Sequence, residues 1–397
     1  MFKYLDGKMS KGFVALLSSR SILFVVSGLL GVFAPIFVYE LFGESLQWSV
    51  LFFGFASFIF FIVLSFGVKF IDKIGFKKSL QTSAFFGAAY YLVFFFADKE
   101  LINVSYFVIL SLLLLTLYRI TYWVPYHTEF AKFSDHLNRG REVSLFSAIA
   151  MMVGIFLPLL SAFMINKFGY DSVFLIAIGL FVLSVVPYKF MPETNDKYTW
   201  TCKRAWKEFF YHKNSKMAIS FMAQGGENVI GLYLWPIFLY QIFDGNLLDV
   251  GTVSTLIIAG TVILQLVVGK VIDKFGKGSG LLKMGSVLYA FGWLFKVFVI
   301  TALEVFVVGV YHSISKIFTA TPIQSITYDM SSEQDDYIDE YNVLKEMYVN
   351  AGRFIISLVV VALSFFVAIK WLFLVGALLA LIFHLISEND IDLKKCP

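Results

Sequence analysis

Arg119, Glu227, His312 and Lys316 each stand inside a long apolar stretch of this 397-residue chain. A charged side chain at the centre of a membrane helix costs roughly 2.5–3.5 kcal/mol on insertion scales, so each needs a chemical reason to be there. Arg119 and Lys316 are cations that could hold an anion, and arginine can grip a carboxylate or phosphate through two hydrogen bonds. Glu227 is the candidate proton carrier, because a carboxyl group in a poorly solvated helix can exchange protons near neutral pH. His312 is a second candidate, since histidine titrates close to physiological pH. Internal pairing of Glu227 with Arg119 or Lys316, with no ligand involved, is the competing reading.

Helical spacing groups these residues with neighbours on one face. Arg119 shares its face with Tyr122, Trp123 and Tyr126, whose rings could pack against the apolar part of a ligand. Glu227 goes with Gln224 and Asn228, Lys316 with His312 and Thr319, and Arg353 with Glu346, Asn350 and Ser357. The expected ligand site is therefore Arg119, Tyr122, Trp123, Tyr126, Gln224, Asn228, Lys316, Asn350 and Arg353. Other chemistries find no support. Gly276-Lys277-Gly278-Ser279 lacks the spacing of a nucleotide-binding loop, and Cys202 and Cys396 make no zinc or redox pattern. No catalytic constellation or cofactor motif is found, so an enzyme is not expected.

The elements that must position these groups follow from composition. Only 15% of residues are charged, against about 25% in soluble domains, and mean hydropathy is +0.78. Apolar runs of about 20 residues recur along the chain, each long enough to span a bilayer as a helix. Twelve spans are expected, near residues 21–42, 48–70, 79–97, 101–130, 143–166, 171–190, 217–242, 248–271, 280–299, 302–328, 346–368 and 370–387. Basic residues collect at the N-terminus, where Arg20 is counted with Lys3, Lys8 and Lys11, and in the loops after the even-numbered spans except the acidic one after span 10 (Glu333, Asp335, Asp336, Asp339 and Glu340). That bias places both termini in the cytoplasm. The net charge of +4 is small and confined to loops, and suggests no nucleic-acid partner. Segment 191–216 is a polar linker in which Trp200, Trp206, Phe209 and Phe210 among lysines predict a helix on the membrane surface.

The chain also repeats itself. Pro35-Ile36-Phe37-Val38-Tyr39 returns as Pro236-Ile237-Phe238-Leu239-Tyr240, and Lys69, Ile71, Asp72, Lys73 and Gly75 return as Lys270, Ile272, Asp273, Lys274 and Gly276, both offset by 201. Arg119 and Pro125 match Lys316 and Pro322. The reading is two parallel six-helix halves, 1–190 and 217–397, joined by the linker 191–216. Pro35, Pro125, Pro236 and Pro322 are expected to kink their helices. Tyr39 and Tyr240 are placed at the outer ends of spans 1 and 7, as candidates for an aromatic outer gate or as ordinary interfacial tyrosines.

GVKFIDKIGFKKSL, residues 67–80, resembles motif A of the major facilitator superfamily, and a weaker copy follows span 8. Asn138-Arg139-Gly140 and Met191-Pro192-Glu193-Thr194 look like further landmarks of that family. The resemblance implies an all-α fold of twelve transmembrane helices, with spans 1, 4, 7 and 10 lining a central cavity. It implies a secondary active transporter working by alternating access. Its cytoplasmic gate would involve Gly67, Asp72, Lys73, Gly75, Arg139, Arg141, Asp273 and Gly276, with Asp72 near a helix N-terminus of the other half and Arg139 or Arg141 as ion-pair partners. The solute is expected to be a small organic anion or zwitterion moved with protons, in the inner membrane of a prokaryote, by a monomer surrounded by lipid. Export of amphipathic compounds or lipids is the alternative, suggested weakly by 46 phenylalanines.

Overall fold

The computed structural model describes residues 9–133, 149, 151–194, 198–211, 215–275, 279–332 and 338–386, and helix is the only regular structure among them. Ser10 starts the first helix: its Oγ accepts from the Phe13 amide and donates to the Phe133 carbonyl at 2.9 Å, tying the beginning of α1 (Lys11–Leu30) to the end of a later helix. After a short break come α2 (Phe33–Leu41), α3 (Leu46–Ile74), α4 (Phe76–Asp98) and α5 (Val104–Phe133). Gly75 joins α3 to α4 at φ +80°, a conformation that costs glycine nothing and other residues much. Then follow α6 (Leu157–Phe168), α7 (Tyr170–Leu183), the short α8 (Val185–Lys189) and the linker helix α9 (Cys202–Phe209). The second part holds α10 (Ser215–Val229), a π-helical turn (Ile230–Leu234), α11 (Trp235–Ile242), α12 (Leu247–Phe275), α13 (Ser279–Lys296), α14 (Ala302–Ser332), α15 (Ile338–Ser364) and α16 (Phe373–Ile382).

Nine helical segments among the described residues are long and apolar enough to cross a membrane. The three other expected spans coincide with helices that are interrupted, polar or short: α10 with α11, α13, and the 369–385 segment around α16. Large apolar side chains such as Phe66, Phe163 and Phe366 stay exposed on the outside, as a surface facing hydrocarbon allows. The first span begins at Lys11 rather than at residue 21, which moves Arg20 from the N-terminal basic cluster into the body of a helix.

The prolines divide. Pro35 follows the break at Gly31–Val32, and Pro236 opens α11 right after the π-helical turn, so spans 1 and 7 are both interrupted. Pro125 and Pro322 lie inside the continuous helices α5 and α14. Packing across the two parts runs through α3 against α15 and α6 against α12. The tightest crossing pairs α10 with α15: a Cβ on Gly225 would come to 1.9 Å from the Val349 carbonyl oxygen, and one on Gly352 to 2.0 Å from that of Met222. Only hydrogen fits at either position. This crossing brings the residues that follow, Glu227 and Arg353, toward one centre.

Candidate functional site

Glu227 is buried on α10, and its carboxylate accepts a 2.5 Å hydrogen bond from the Tyr289 hydroxyl of α13. Lys316 of α14 lies 3.6 Å from the same oxygen; its side chain is 47% exposed where that of Glu227 is 3% exposed. The pair thus stands at the edge of an open space, with the carboxylate on the dry side. The internal pairing considered for Glu227 exists, and its partner is Lys316.

Arg119 is not part of that pair. Its Nη1 is buried without a hydrogen-bond partner, and so is Nε of Arg353. Arg353 feels the charges of Arg119, Glu227 and Glu346, while its Nη1 reaches only Asn350 Oδ1 at 3.4 Å. Two guanidinium groups from different parts of the chain therefore come within electrostatic reach with no carboxylate at salt-bridge distance among the described residues. Buried cations need an anion or hydrogen-bond partners at close range, which these nitrogens lack here. Asn350 spends its amide on its own helix, donating to the Glu346 carbonyl at 2.8 Å. Gln224 and Asn228 are half-buried on α10 beside Glu227.

The rings expected around Arg119 surround Arg20 instead. Arg20 donates to the Tyr122 hydroxyl at 3.0 Å. Its guanidinium lies 4.8 Å from the Phe24 ring centre, 5.2 Å from that of Trp123 and 5.5 Å from that of Tyr126. Charge counting alone hid this residue, because a basic side chain near the N-terminus reads as a topology signal. The spacing Arg20 to Phe24, one helical turn, was the available clue. His312 is also displaced from the open centre: it is buried with its ring 4.6 Å from Tyr289 and 4.4 Å from Trp293. Lys296, unnoticed in the sequence, has its ammonium 3.9 Å from the Trp235 ring centre and 4.2 Å from that of Trp293.

At one end of the bundle the repeated Pro-Ile-Phe segments meet. Tyr39 packs edge-on against Tyr240 at 6.0 Å and accepts from Gln241 at 2.8 Å, Gln47 donates to Ser364 at 3.1 Å, and Phe53 stacks on Tyr233 at 4.0 Å. Within the first half, Lys99 and Asp171 form a 2.8 Å ion pair at the same end, and that bond raises the ammonium pKa of the exposed Lys99.

At the opposite end the linker forms a strap. Asp72 of α3 accepts from the Tyr198 amide at 3.0 Å, and Glu340 of α15 accepts from the Thr199 amide at 2.8 Å and its hydroxyl at 2.6 Å. Two consecutive linker residues thus bridge α3 and α15, while Thr194 donates to Glu129 of α5. Burial first, then Glu340, Cys202 and Asp72, push the Tyr198 phenol well above its ordinary pKa. The Tyr198 amide of the linker is thus one partner of Asp72. Arg139, Arg141 and Gly276 lie outside the described residues, as does the side chain of Asp273. Gly67 packs against Ile120 and Gly75 makes the turn, as their types suggest, and Lys73 is exposed. The linker helix α9 is partly turned inward: Trp206 and Phe209 pack on Phe61, Phe209 stacks on Tyr348, and Phe210 alone of that aromatic group is fully exposed.

Residues 16–214, half of the chain, match the profile of the Major Facilitator Superfamily. The chain belongs to this family. Members of the major facilitator superfamily are membrane transporters rather than enzymes, and the chain is accordingly an integral, multi-pass membrane protein. It is also similar to the uncharacterized protein YqgE of Bacillus subtilis (strain 168), 24% identical over 243 residues. That match covers 59% of this chain and 56% of the relative, so the chain spans little more than half of that protein's length.

Proposed function

We propose that this superfamily member is a secondary active transporter of a small organic anion or zwitterion, working by alternating access and coupled to protons. The observation that carries the anion reading is that Arg119 and Arg353 each hold a buried guanidinium nitrogen without a hydrogen-bond partner. Lys316 supplies a third cation, half-solvated and held by Glu227. A carboxylate or phosphate entering between the guanidinium groups would complete their hydrogen bonds. Glu227, once protonated, would release Lys316 toward that anion, which links proton and solute binding. Tyr289, which hydrogen-bonds the same oxygen, would keep the carboxyl oriented in both protonation states.

Alternating access is read as twelve spans in two six-helix halves, 1–190 and 217–397, rocking about this centre. The basic loops put the linker end in the cytoplasm. In the present arrangement Tyr39, Tyr240 and Gln241 close the other end. The linker contacts of Thr194, Tyr198 and Thr199 would release when the cytoplasmic side opens. The test is reconstitution in proteoliposomes with an imposed pH gradient and an organic anion found to bind. Anion uptake driven by the gradient, and lost in Glu227→Gln, supports the coupling. Uptake that stays gradient-dependent in Glu227→Gln removes Glu227 from that role.

A further inference from the structure

Span 7 changes character between Glu227 and Tyr240. Its first part, α10, is locked to α15 at Gly225 and Gly352, where only hydrogen fits. Its last part, α11, begins at Trp235, whose ring centre lies 3.9 Å from the Lys296 ammonium and 5.8 Å from the Phe373 ring. Between these two anchored flanks stands the π-helical turn Ile230–Leu234. Such turns are rare and frequently mark functional sites. This one is the part of span 7 that can change while α10 and α11 stay where they are.

Two residues of the turn touch the central site and its surroundings. Gly231 lies against the Glu227 carboxylate: a Cβ there would come 3.2 Å from Oε1. That oxygen is the one that accepts from Tyr289 and faces Lys316. Tyr233 is buried and stacks on Phe53 of α3 at 4.0 Å, with the two rings 5° from parallel. Gly54, next to Phe53, packs on α15, where a Cβ would come 2.7 Å from that of Ser357. Ser357 donates to the Arg353 carbonyl, one helical turn nearer the linker end. The ring pair therefore joins the two halves just beyond the arginine centre. The Tyr39–Tyr240 contact lies about 10 Å farther out, seven residues along span 7.

The charge of Glu227 bears directly on this turn. As a carboxylate it is drawn to Lys316, and Oε1 stays over Gly231. Protonation removes that pull and makes the carboxyl a donor as well as an acceptor. It can then rotate, and the backbone beside it can shift. The charged or titratable groups facing Glu227 are Tyr289 and Lys296 of α13, Lys316 of α14 and Arg353 of α15. His312 of α14 lies behind Tyr289, and Arg119 of α5 reaches Arg353 from the first half.

We propose that Ile230–Leu234 is a local switch between Glu227 and the arginine centre. Gly231 is its positioning residue, set against the carboxylate. Tyr233, stacked on Phe53, is the lid that leaves that centre when Glu227 loses its charge. The movement is of one turn and one ring, with α11 remaining on Lys296 and Phe373. The inference rests on the proton-coupling reading only for what removes the charge, and its test separates the two.

Para-fluorophenylalanine in place of Tyr233 keeps the stacking ring and does not titrate. In the full chain in neutral detergent, its fluorine NMR signal marks the stacked lid, and the same protein carrying Phe53→Leu marks the released one. Glu227→Gln, or Glu227→Met should the first not fold, should move the signal most of the way to the released position at every pH. Acid should move the signal of the otherwise unaltered chain in the same direction. Gly231→Ala should abolish that response to acid while far-UV circular dichroism shows the helices intact. A signal that stays at the stacked position in the neutral Glu227 variants overturns the switch. A Gly231→Ala protein with the unaltered response to acid overturns it as well. If the neutral variants release the lid but acid does not, the switch stands and Glu227 is not the proton carrier.

Discussion

Removing either partner of the Glu227–Lys316 pair should have unequal consequences, because the two groups are unequally buried. At 3.6 Å the attraction is about 5 kcal/mol at an effective dielectric of 20 and about 1 kcal/mol in water-like surroundings. Lys316, half exposed, can fall back on solvent when the carboxylate is gone. Glu227→Gln also keeps an acceptor for Tyr289, so its cost should be about 1 kcal/mol. Lys316→Met leaves a carboxylate buried with a single neutral donor, and stranding a buried charge costs about 3–5 kcal/mol. The double variant strands nothing and should lie close to Glu227→Gln. The cycle therefore predicts a coupling of about 3–5 kcal/mol, the whole cost of the stranded carboxylate. Unfolding of the four proteins in one detergent, followed by far-UV circular dichroism against denaturant, measures it. The reasoning is refuted if the two single variants are equally destabilised and their effects add in the double variant.

Three further outcomes follow from other contacts. Gly352→Ala would drive a methyl group into the Met222 carbonyl, so it should lower stability by about 1–3 kcal/mol, read as a fall in Tm with Gly352→Val falling further. Thr199→Val removes one hydrogen bond to the buried Glu340, worth about 1 kcal/mol, and should speed protease cleavage within the linker while the helical core stays intact. Tyr39→Phe deletes the acceptor of Gln241. In a protein carrying Ser357→Cys, it should increase maleimide labelling of that buried position from the Tyr39 end, whereas an unchanged rate would mean this hydrogen bond does not hold the end closed.

How much of this was legible in the sequence depends on the kind of interaction. Apolar runs announced the helices because a bilayer allows little else, and the motif between α3 and α4 pointed to the family. Glu227 and Lys316 were visible as costly charges, and their pairing was one of two open readings. Arg20 was missed because counting basic residues cannot tell a loop from the first turns of a helix, and the helix begins ten residues earlier than the apolar run suggests. The partners of Arg119 changed for a related reason. Helical spacing shows which side chains share a face, but not which neighbouring helix brings a second charge to it. Gly225 and Gly352, each close to a charged residue, were the unused signal for that crossing. The strap was invisible because Asp72 and Glu340 bind amide groups of the linker, and every residue but proline has one.

The central claim is that Arg119 and Arg353 form an anion site. The most direct measurement is a thermal-shift comparison of wild type, Arg119→Gln and Arg353→Gln against organic anions, amino acids, sugars, nucleosides, lysolipids and lipophilic cations. A ligand at a hundred times its Kd stabilises the folded state by about 2.7 kcal/mol, which is readily seen. Carboxylates or phosphates should raise the Tm of wild type and leave both variants unmoved. If lysolipids or lipophilic cations alone stabilise the protein, and equally in all three forms, the arginines are structural and the chain is better read as an exporter of amphipathic compounds.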